Sequence, residues 1–103
     1  MKNLISKKHN NIYIIEINRE KQFNSVNIEV LEELVDILSQ INNMTNINCV
    51  IITGSGNKSF IAGADIKNMI NMKRSEALEF SSLGHCLTMK IENFNKPIIA
   101  AIN

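Results

Sequence analysis

Short segments rich in isoleucine alternate along this chain with longer segments of helical period, and this alternation constrains the fold more than any other feature. Residues 11–17 and 49–53 are rich in β-branched side chains and bounded by Asn or Gly, which is typical of strands. Residues 27–41 and 75–93 carry apolar side chains at helical spacing. A further apolar run occupies residues 98–102. Strands that alternate with helices predict an α/β fold with parallel strand pairing.

The first strands are expected to differ in how they pair and how deeply they are buried. Residues 4–8 would pair with residues 11–17 as a hairpin across His9-Asn10-Asn11, because asparagine tolerates turn geometry. Residues 49–53 form a continuous apolar run that Gly54-Ser55-Gly56 stops. Such a run predicts a strand buried on both faces of a sheet.

Both helical segments carry an apolar stripe that predicts the side facing the core. Asn27 is the expected N-cap of the first helix, and the acidic residues after it suit the positive end of the helix dipole. Pro97 ends the second helix, because proline disfavours helical geometry in the residue before it. The residues expected to face inwards are Val30, Leu31, Leu34, Val35, Leu38 and Ile41 in the first helix, and Ala77, Phe80, Leu83, Leu87 and Ile91 in the second.

Composition limits the classes of function. The 103 residues include 11 basic and 10 acidic side chains, for a net charge of +1, and 45% are hydrophobic. One folded domain is expected, and the lack of a basic excess argues against a nucleic-acid partner. No apolar run reaches the roughly 18–20 residues that span a bilayer, and the first residues lack a leader pattern, so we expect a cytoplasmic protein without a membrane partner. Cys49 and Cys86 lack metal-ligand spacing and are expected to be buried, reduced thiols, and no metal site is predicted.

The segment with the clearest chemical character is Phe-Ile-Ala-Gly-Ala-Asp-Ile-Lys at residues 60–67. It follows a predicted buried strand, at the end of the sheet where α/β folds bind ligands. N–H groups at a helix start lack intrahelical partners, and the small side chains of Ala62, Gly63 and Ala64 leave them accessible. Such donors stabilise charge that develops on a carbonyl oxygen, and Asp65 is the expected cap of the following helix. An ordinary helix start after a tight turn has the same pattern, so spacing alone leaves both interpretations open.

Three motifs in order resemble the crotonase (enoyl-CoA hydratase/isomerase) superfamily. Residues 60–66 resemble its signature loop, residues 17–27 resemble its Ile-Asn-Arg turn before a helix, and residues 96–103 resemble its Lys-Pro strand entry. The resemblance covers almost the whole chain. It implies an N-terminal part of the crotonase-type ββα spiral fold, so that residues 1–103 are expected to be the N-terminal portion of a single domain.

The resemblance implies a substrate bound as a coenzyme A thioester, which needs no separate cofactor. The Ala64 N–H would be one of two oxyanion-hole donors to the thioester oxygen, the catalytic role assigned to this chain. The coenzyme would be bound by two segments, one comprising Ala62, Gly63, Ala64, Asp65, Ile66 and Lys67 and the other comprising Lys21, Gln22 and Phe23. Homotrimers or homohexamers of the full-length protein are implied as well.

The resemblance also implies that some of the chemistry lies outside residues 1–103. In the hydratases of this superfamily, two Glu residues and a second oxyanion donor follow the motif that ends at Asn103. The first hypothesis is an enoyl-CoA hydratase or 3-hydroxyacyl-CoA dehydratase, which is a lyase. Because the two Glu residues lie outside residues 1–103, these residues alone are expected to be inactive. Alternatives are an isomerase, a decarboxylase or another reaction of the superfamily, and a non-catalytic CoA-binding module. Glu20, where the family usually has Pro, and Phe23, where it commonly has Leu, depart from the pattern.

Overall fold

Four strands form one sheet in the order in which they occur along the chain. The structure is a computed structural model that describes residues 1–103. The strands are β1 (Leu4–His9), β2 (Ile12–Ile17), β3 (Cys49–Gly54) and β4 (Ile98–Ala101). β1 and β2 are antiparallel, whereas β3 is parallel to both β2 and β4. The predicted α/β class with parallel pairing is confirmed.

The β1–β2 hairpin has a tighter turn than the sequence predicts. His9 still belongs to the sheet and pairs with Ile12, so only Asn10 and Asn11 form the turn. Asn10 has a φ of 55°, in the left-handed region that asparagine enters more readily than most residues. The expected role of asparagine in this turn is therefore confirmed, and β1 is one residue longer than the predicted strand at residues 4–8.

Helix α1 (Ile28–Asn42) connects β2 to β3 and contributes much of the apolar core. The Asn27 side chain accepts a hydrogen bond from the Val30 N–H at 2.9 Å, which confirms the predicted cap. Val35 was expected to face inwards but is only half-buried. Ile37, which is not among the residues expected to face inwards, is buried. The core residues are Leu4, Tyr13, Ile15, Ile17, Val30, Leu34, Ile37, Leu38, Ile41, Ile47, Val50 and Ile52.

Strand β3 is buried on one face, so the prediction that it is buried on both faces is wrong. Val50 and Ile52 are buried, whereas Cys49, Ile51 and Thr53 between them are half-buried. The reason is that α3 (Arg74–Glu92) contacts α1 rather than covering the second face of the sheet. Although the sequence of β3 is a continuous apolar run, residues 1–103 cover only one face of this strand fully.

Helix α3 is less buried than its stripe predicts. Of the residues expected to face inwards, Ala77 is exposed, and Phe80, Leu83, Leu87 and Ile91 are half-buried. The expected burial of the two thiols is also wrong, because Cys86 is exposed on α3 and Cys49 is half-buried, although both cysteines are free. None of the α-helices combines the length and apolar character needed to cross a bilayer.

Candidate active site

The signature loop between β3 and α2 (Ile66–Ile70) is held by the backbone of Val26. The Val26 N–H donates to the Gly63 carbonyl oxygen at 2.8 Å, and the Asp65 N–H donates to the Val26 carbonyl oxygen at 2.9 Å. These two bonds form an isolated parallel bridge between Val26 and Ala64. The segment before α1 and the segment before α2 are thus joined at one point.

The Ala64 N–H lies inside this bridge but takes no part in it. No hydrogen bond within the chain uses this N–H as a donor. The Gly63 C=O and the Ala64 N–H belong to one trans peptide, so they point in opposite directions. Because the Gly63 oxygen points at Val26, the Ala64 N–H points away from it. The Ala64 N–H is therefore a main-chain donor without a partner at an exposed residue.

The other small residues of the loop have different roles. The Ala62 N–H was expected to be free, but it donates to the Phe23 carbonyl oxygen at 3.2 Å. Gly63 has a φ of 87°, which favours glycine, and a Cβ there would meet no atom within 4 Å. Gly63 is needed for its backbone conformation rather than for space.

A cleft of about 430 Å³ lies beside Ala64. Seven of the nine predicted site residues line it, whereas Ala62 and Gly63 do not. Arg19 and Ser25, which are not among the predicted site residues, line it as well. The lining residues are Arg19, Lys21, Gln22, Phe23, Ser25, Ala64, Asp65, Ile66 and Lys67. The structure thus places residues 21–23 and residues 64–67 around the same cleft.

Asp65 makes two separate contacts at the edge of the cleft. Its Oδ1 accepts from the Asn68 N–H at 3.2 Å, which confirms the predicted cap of α2. Its Oδ2 accepts from Nη2 of Arg19 at 3.1 Å, in an ion pair whose side chains are 11% and 14% exposed. The hydrogen bond from Arg19 holds the pKa of Asp65 below its ordinary value. Asp65 is therefore an anion at neutral pH.

The Asn24 side chain, which is not among the predicted site residues, joins the turn at residues 19–25 to the loop that follows β3. It is buried, donates to the carbonyl oxygens of Ser55 at 3.0 Å and Ser59 at 2.9 Å, and accepts from the Arg19 N–H at 2.9 Å. A run of turn-forming residues at 18–27 indicates a loop, but nothing in it indicates partners more than 30 positions away. One turn of 3₁₀ helix over Glu20–Gln22 precedes Asn24.

A second cleft, of about 380 Å³, has the opposite electrostatic character. The carboxylates of Glu29, Glu32, Glu76 and Glu79 line it together with Asn27, Ile28 and Asn68. Negative side chains repel an anionic ligand, whereas the first cleft carries Lys21 and Lys67. The first cleft is therefore the candidate site for a phosphate-bearing ligand.

Comparison with known proteins finds matches over nearly the whole chain. The enoyl-CoA hydratase/isomerase family model matches residues 7–103. The chain is 43% identical over 101 residues to a crotonyl-CoA hydratase of Syntrophomonas wolfei, and 38% identical over 103 residues to a short-chain-enoyl-CoA hydratase of Clostridium acetobutylicum. The crystal structure of an enoyl-CoA hydratase from Bacillus anthracis matches 98% of the chain with a TM-score of 0.93 and 38% identity.

These matches cover only part of each relative. The alignments span 98% and 100% of this chain but 39% and 40% of the two curated relatives, and 40% of the Bacillus anthracis chain. The four-stranded sheet and its helices correspond to an N-terminal part of the crotonase fold. The chain belongs to the enoyl-CoA hydratase/isomerase family.

Proposed function

We propose that residues 1–103 form the acyl-CoA-binding part of an enoyl-CoA hydratase, in which the Ala64 N–H is one donor of an oxyanion hole. The observation that carries the proposal is the free Ala64 N–H beside the cleft. The names of the relatives from Syntrophomonas wolfei and Clostridium acetobutylicum support a hydratase among the reactions of the family.

The proposed chemistry requires a donor at this position. Water adds across the Cα=Cβ bond of the enoyl thioester, and its oxygen bonds to Cβ. The π electrons then move towards the thioester oxygen, and the resulting enolate is protonated at Cα while the water loses a proton. An N–H aimed at that oxygen stabilises the charge, and losing one such donor typically raises the barrier by about 2.7–4 kcal/mol.

The lining of the cleft suits the coenzyme. Lys21 and Lys67 supply positive charge for its phosphate groups. Phe23 and Ile66 are 57% and 70% exposed, so an apolar surface is available to the adenine and the pantetheine chain. A ligand with an anionic end and an apolar arm therefore finds complementary groups on both sides of Ala64.

The cleft lacks a group suited to move the proton. Asp65 is the one carboxylate among its nine lining residues, and the ion pair with Arg19 keeps its pKa low. A carboxyl whose pKa is held below its ordinary value is a poor base and holds no proton to donate at neutral pH. We therefore expect residues 1–103 to bind the thioester without turning it over.

The test is a titration of the ¹⁵N-labelled chain with crotonyl-CoA. We expect the Ala64 amide proton to move downfield and the amides of residues 21–23 and 65–67 to shift with it. The control is S-butyl-CoA, a thioether without the carbonyl oxygen, which should shift the flanking amides but leave Ala64 nearly unchanged. Shifts confined to the acidic cleft, or no binding of either compound, would contradict the proposal.

The same sample tests the expected lack of turnover. The absorbance of the conjugated thioester should stay constant after crotonyl-CoA is added to the purified chain. Sustained loss of that absorbance, in a preparation free of other hydratases, would show that an acid and a base are present within residues 1–103.

A further inference from the structure

Arg19 lies between the two segments that form the cleft, and its polar groups contact both. Its Nη1 donates to the Ser25 carbonyl oxygen, and its Nη2 donates to Oδ2 of Asp65 at 3.1 Å. Its own N–H donates to Oδ1 of Asn24 at 2.9 Å, which fixes the start of the side chain. The Arg19 side chain is only 11% exposed, although it carries a full charge.

Together with the bonds of Val26, these contacts form a closed ring of residues that includes Ala64. Ser25 precedes Val26, whose N–H and C=O bond to Gly63 and Asp65 on either side of Ala64. Arg19 joins the outer ends of this bridge, Ser25 on one side and the Asp65 carboxylate on the other. Because the Ala64 N–H makes no hydrogen bond of its own, its direction depends on how its neighbours are held.

We propose that Arg19 is a positioning residue whose guanidinium ties Ser25 to Asp65 and thereby aims the Ala64 N–H into the cleft. The use of that N–H for a thioester oxygen rests on the function proposed above, whereas the tether itself does not. Arginine suits the role because one planar group reaches two acceptors at a fixed angle, which a lysine ammonium on a flexible stem does not reproduce.

Burial separates this ion pair from an ordinary surface pair. The Arg19 and Asp65 side chains are 11% and 14% exposed, whereas those of Lys2 and Glu29, 3.5 Å apart, are 80% and 49% exposed. Exposed ion pairs contribute little to the stability of a fold. Removing one partner of a desolvated pair, in contrast, leaves an uncompensated charge. Lys2→Gln is therefore a matched control that removes an ion pair away from the cleft.

The two oxygens of Asp65 allow a variant that separates its roles. Oδ1 caps α2 through the Asn68 N–H, and only Oδ2 contacts Arg19. In Asp65→Asn, the amide oxygen can still cap the helix, but an NH₂ group replaces the acceptor that faces the guanidinium. Arg19→Met removes the guanidinium and keeps a long apolar side chain.

The first experiment needs no ligand and measures amide hydrogen exchange in the wild-type chain and the three variants. In Arg19→Met and Asp65→Asn we expect the Val26 and Asp65 amides to exchange several-fold faster, because their bonds form the bridge. The amides of Ile15 and Val50 in the central strands should keep their wild-type rates. Lys2→Gln should leave all four amides unchanged.

The second experiment compares the Kd of butyryl-CoA with that of S-butyl-CoA, which differ in the carbonyl oxygen. One well-aimed hydrogen bond contributes about 0.5–1.5 kcal/mol, so the wild-type chain should bind the thioester about 2- to 12-fold more tightly. The ratio of the Kd of S-butyl-CoA to that of butyryl-CoA should fall towards one in Arg19→Met and Asp65→Asn. In Arg19→Lys it should lie between one and the wild-type value, and in Lys2→Gln it should stay at the wild-type value.

The outcomes separate the two proposals. A wild-type ratio of one would overturn the role of Ala64 in thioester binding, while hydrogen exchange would still decide whether Arg19 tethers the bridge. A wild-type ratio that survives in both Arg19→Met and Asp65→Asn would overturn the positioning role. Faster exchange at Ile15 and Val50 as well would assign Arg19 to global stability and overturn it too. If Arg19→Met does not fold, Asp65→Asn decides.

Discussion

At the scale of single residues, a few buried polar side chains shape the candidate site. Asn24 is 1% exposed and has a φ of 58°, a conformation that asparagine tolerates better than most residues. Its amide and carbonyl groups join the turn at residues 19–25 to the loop that follows β3. No buried side-chain nitrogen or oxygen lacks a partner, so these polar groups are compatible with a well-ordered loop.

The Asp65 ion pair makes stability depend on pH at the same scale. Arg19 lowers the pKa of Asp65 below its ordinary value of 3.8, so near that pH the unfolded chain binds more protons than the folded chain. The contribution of the pair is complete above pH 3.8 and is lost as the pH falls through the lower folded pKa. Urea unfolding across this range should show the gap between wild type and Asp65→Asn closing in acid. A gap that is independent of pH would contradict the assignment.

At the scale of elements, α1 and α3 differ in what they contribute to the core. Six residues of α1 are buried, whereas α3, although longer, has none. α1 lies in the connection between the parallel strands β2 and β3 and supplies the apolar face that covers the sheet. α3 contacts α1 from outside, and its half-buried Leu87 and Ile91 pack against the core. Most of the stabilisation from apolar burial therefore comes from α1 and the sheet.

Two leucine-to-alanine changes test this difference. Leu38 on α1 is 0% exposed and Leu78 on α3 is 62% exposed. We expect Leu38→Ala to lower the free energy of unfolding by about 2–5 kcal/mol, because it removes buried methyl groups and leaves a cavity. Leu78→Ala should change it by less than about 0.5 kcal/mol. Urea unfolding of both variants measures the two values, and equal losses would show that α3 is part of the core.

At the scale of the whole molecule, much apolar surface is uncovered. Ile70, Leu78 and Ile102 are 75%, 62% and 78% exposed, and β4 has only one neighbour in the sheet. Exposed apolar patches and open strand edges favour association. The chain spans 39–40% of the length of the two curated relatives described above.

We therefore expect residues 1–103 to associate in solution as their concentration rises. Sedimentation velocity at increasing protein concentration should show a rising weight-average sedimentation coefficient. Replacing Ile70, Leu78 and Ile102 together by lysine should reduce that rise, because charge opposes contact between apolar faces. A wild-type chain that sediments as a compact monomer at all concentrations would contradict this expectation.

The order of elements, two helix N-caps and the position of the signature loop follow from the amino-acid sequence alone, because these depend on neighbours in the chain. Asn27 and Asp65 cap helices through N–H groups three residues away, and the apolar period of α1 follows from helix geometry. The family motifs are also local, so the assignment to the enoyl-CoA hydratase/isomerase family needed no coordinates.

Which polar groups lack a partner and which side chains are covered follows from long-range contacts, because residues distant in the chain supply the partners and the cover. Arg19 meets Asp65 across 46 positions, and Val26 bonds to the peptide groups on either side of Ala64. The same dependence explains why Cys86 is exposed and one face of β3 is only half-buried: α3 lies on α1, and no local pattern specifies that contact.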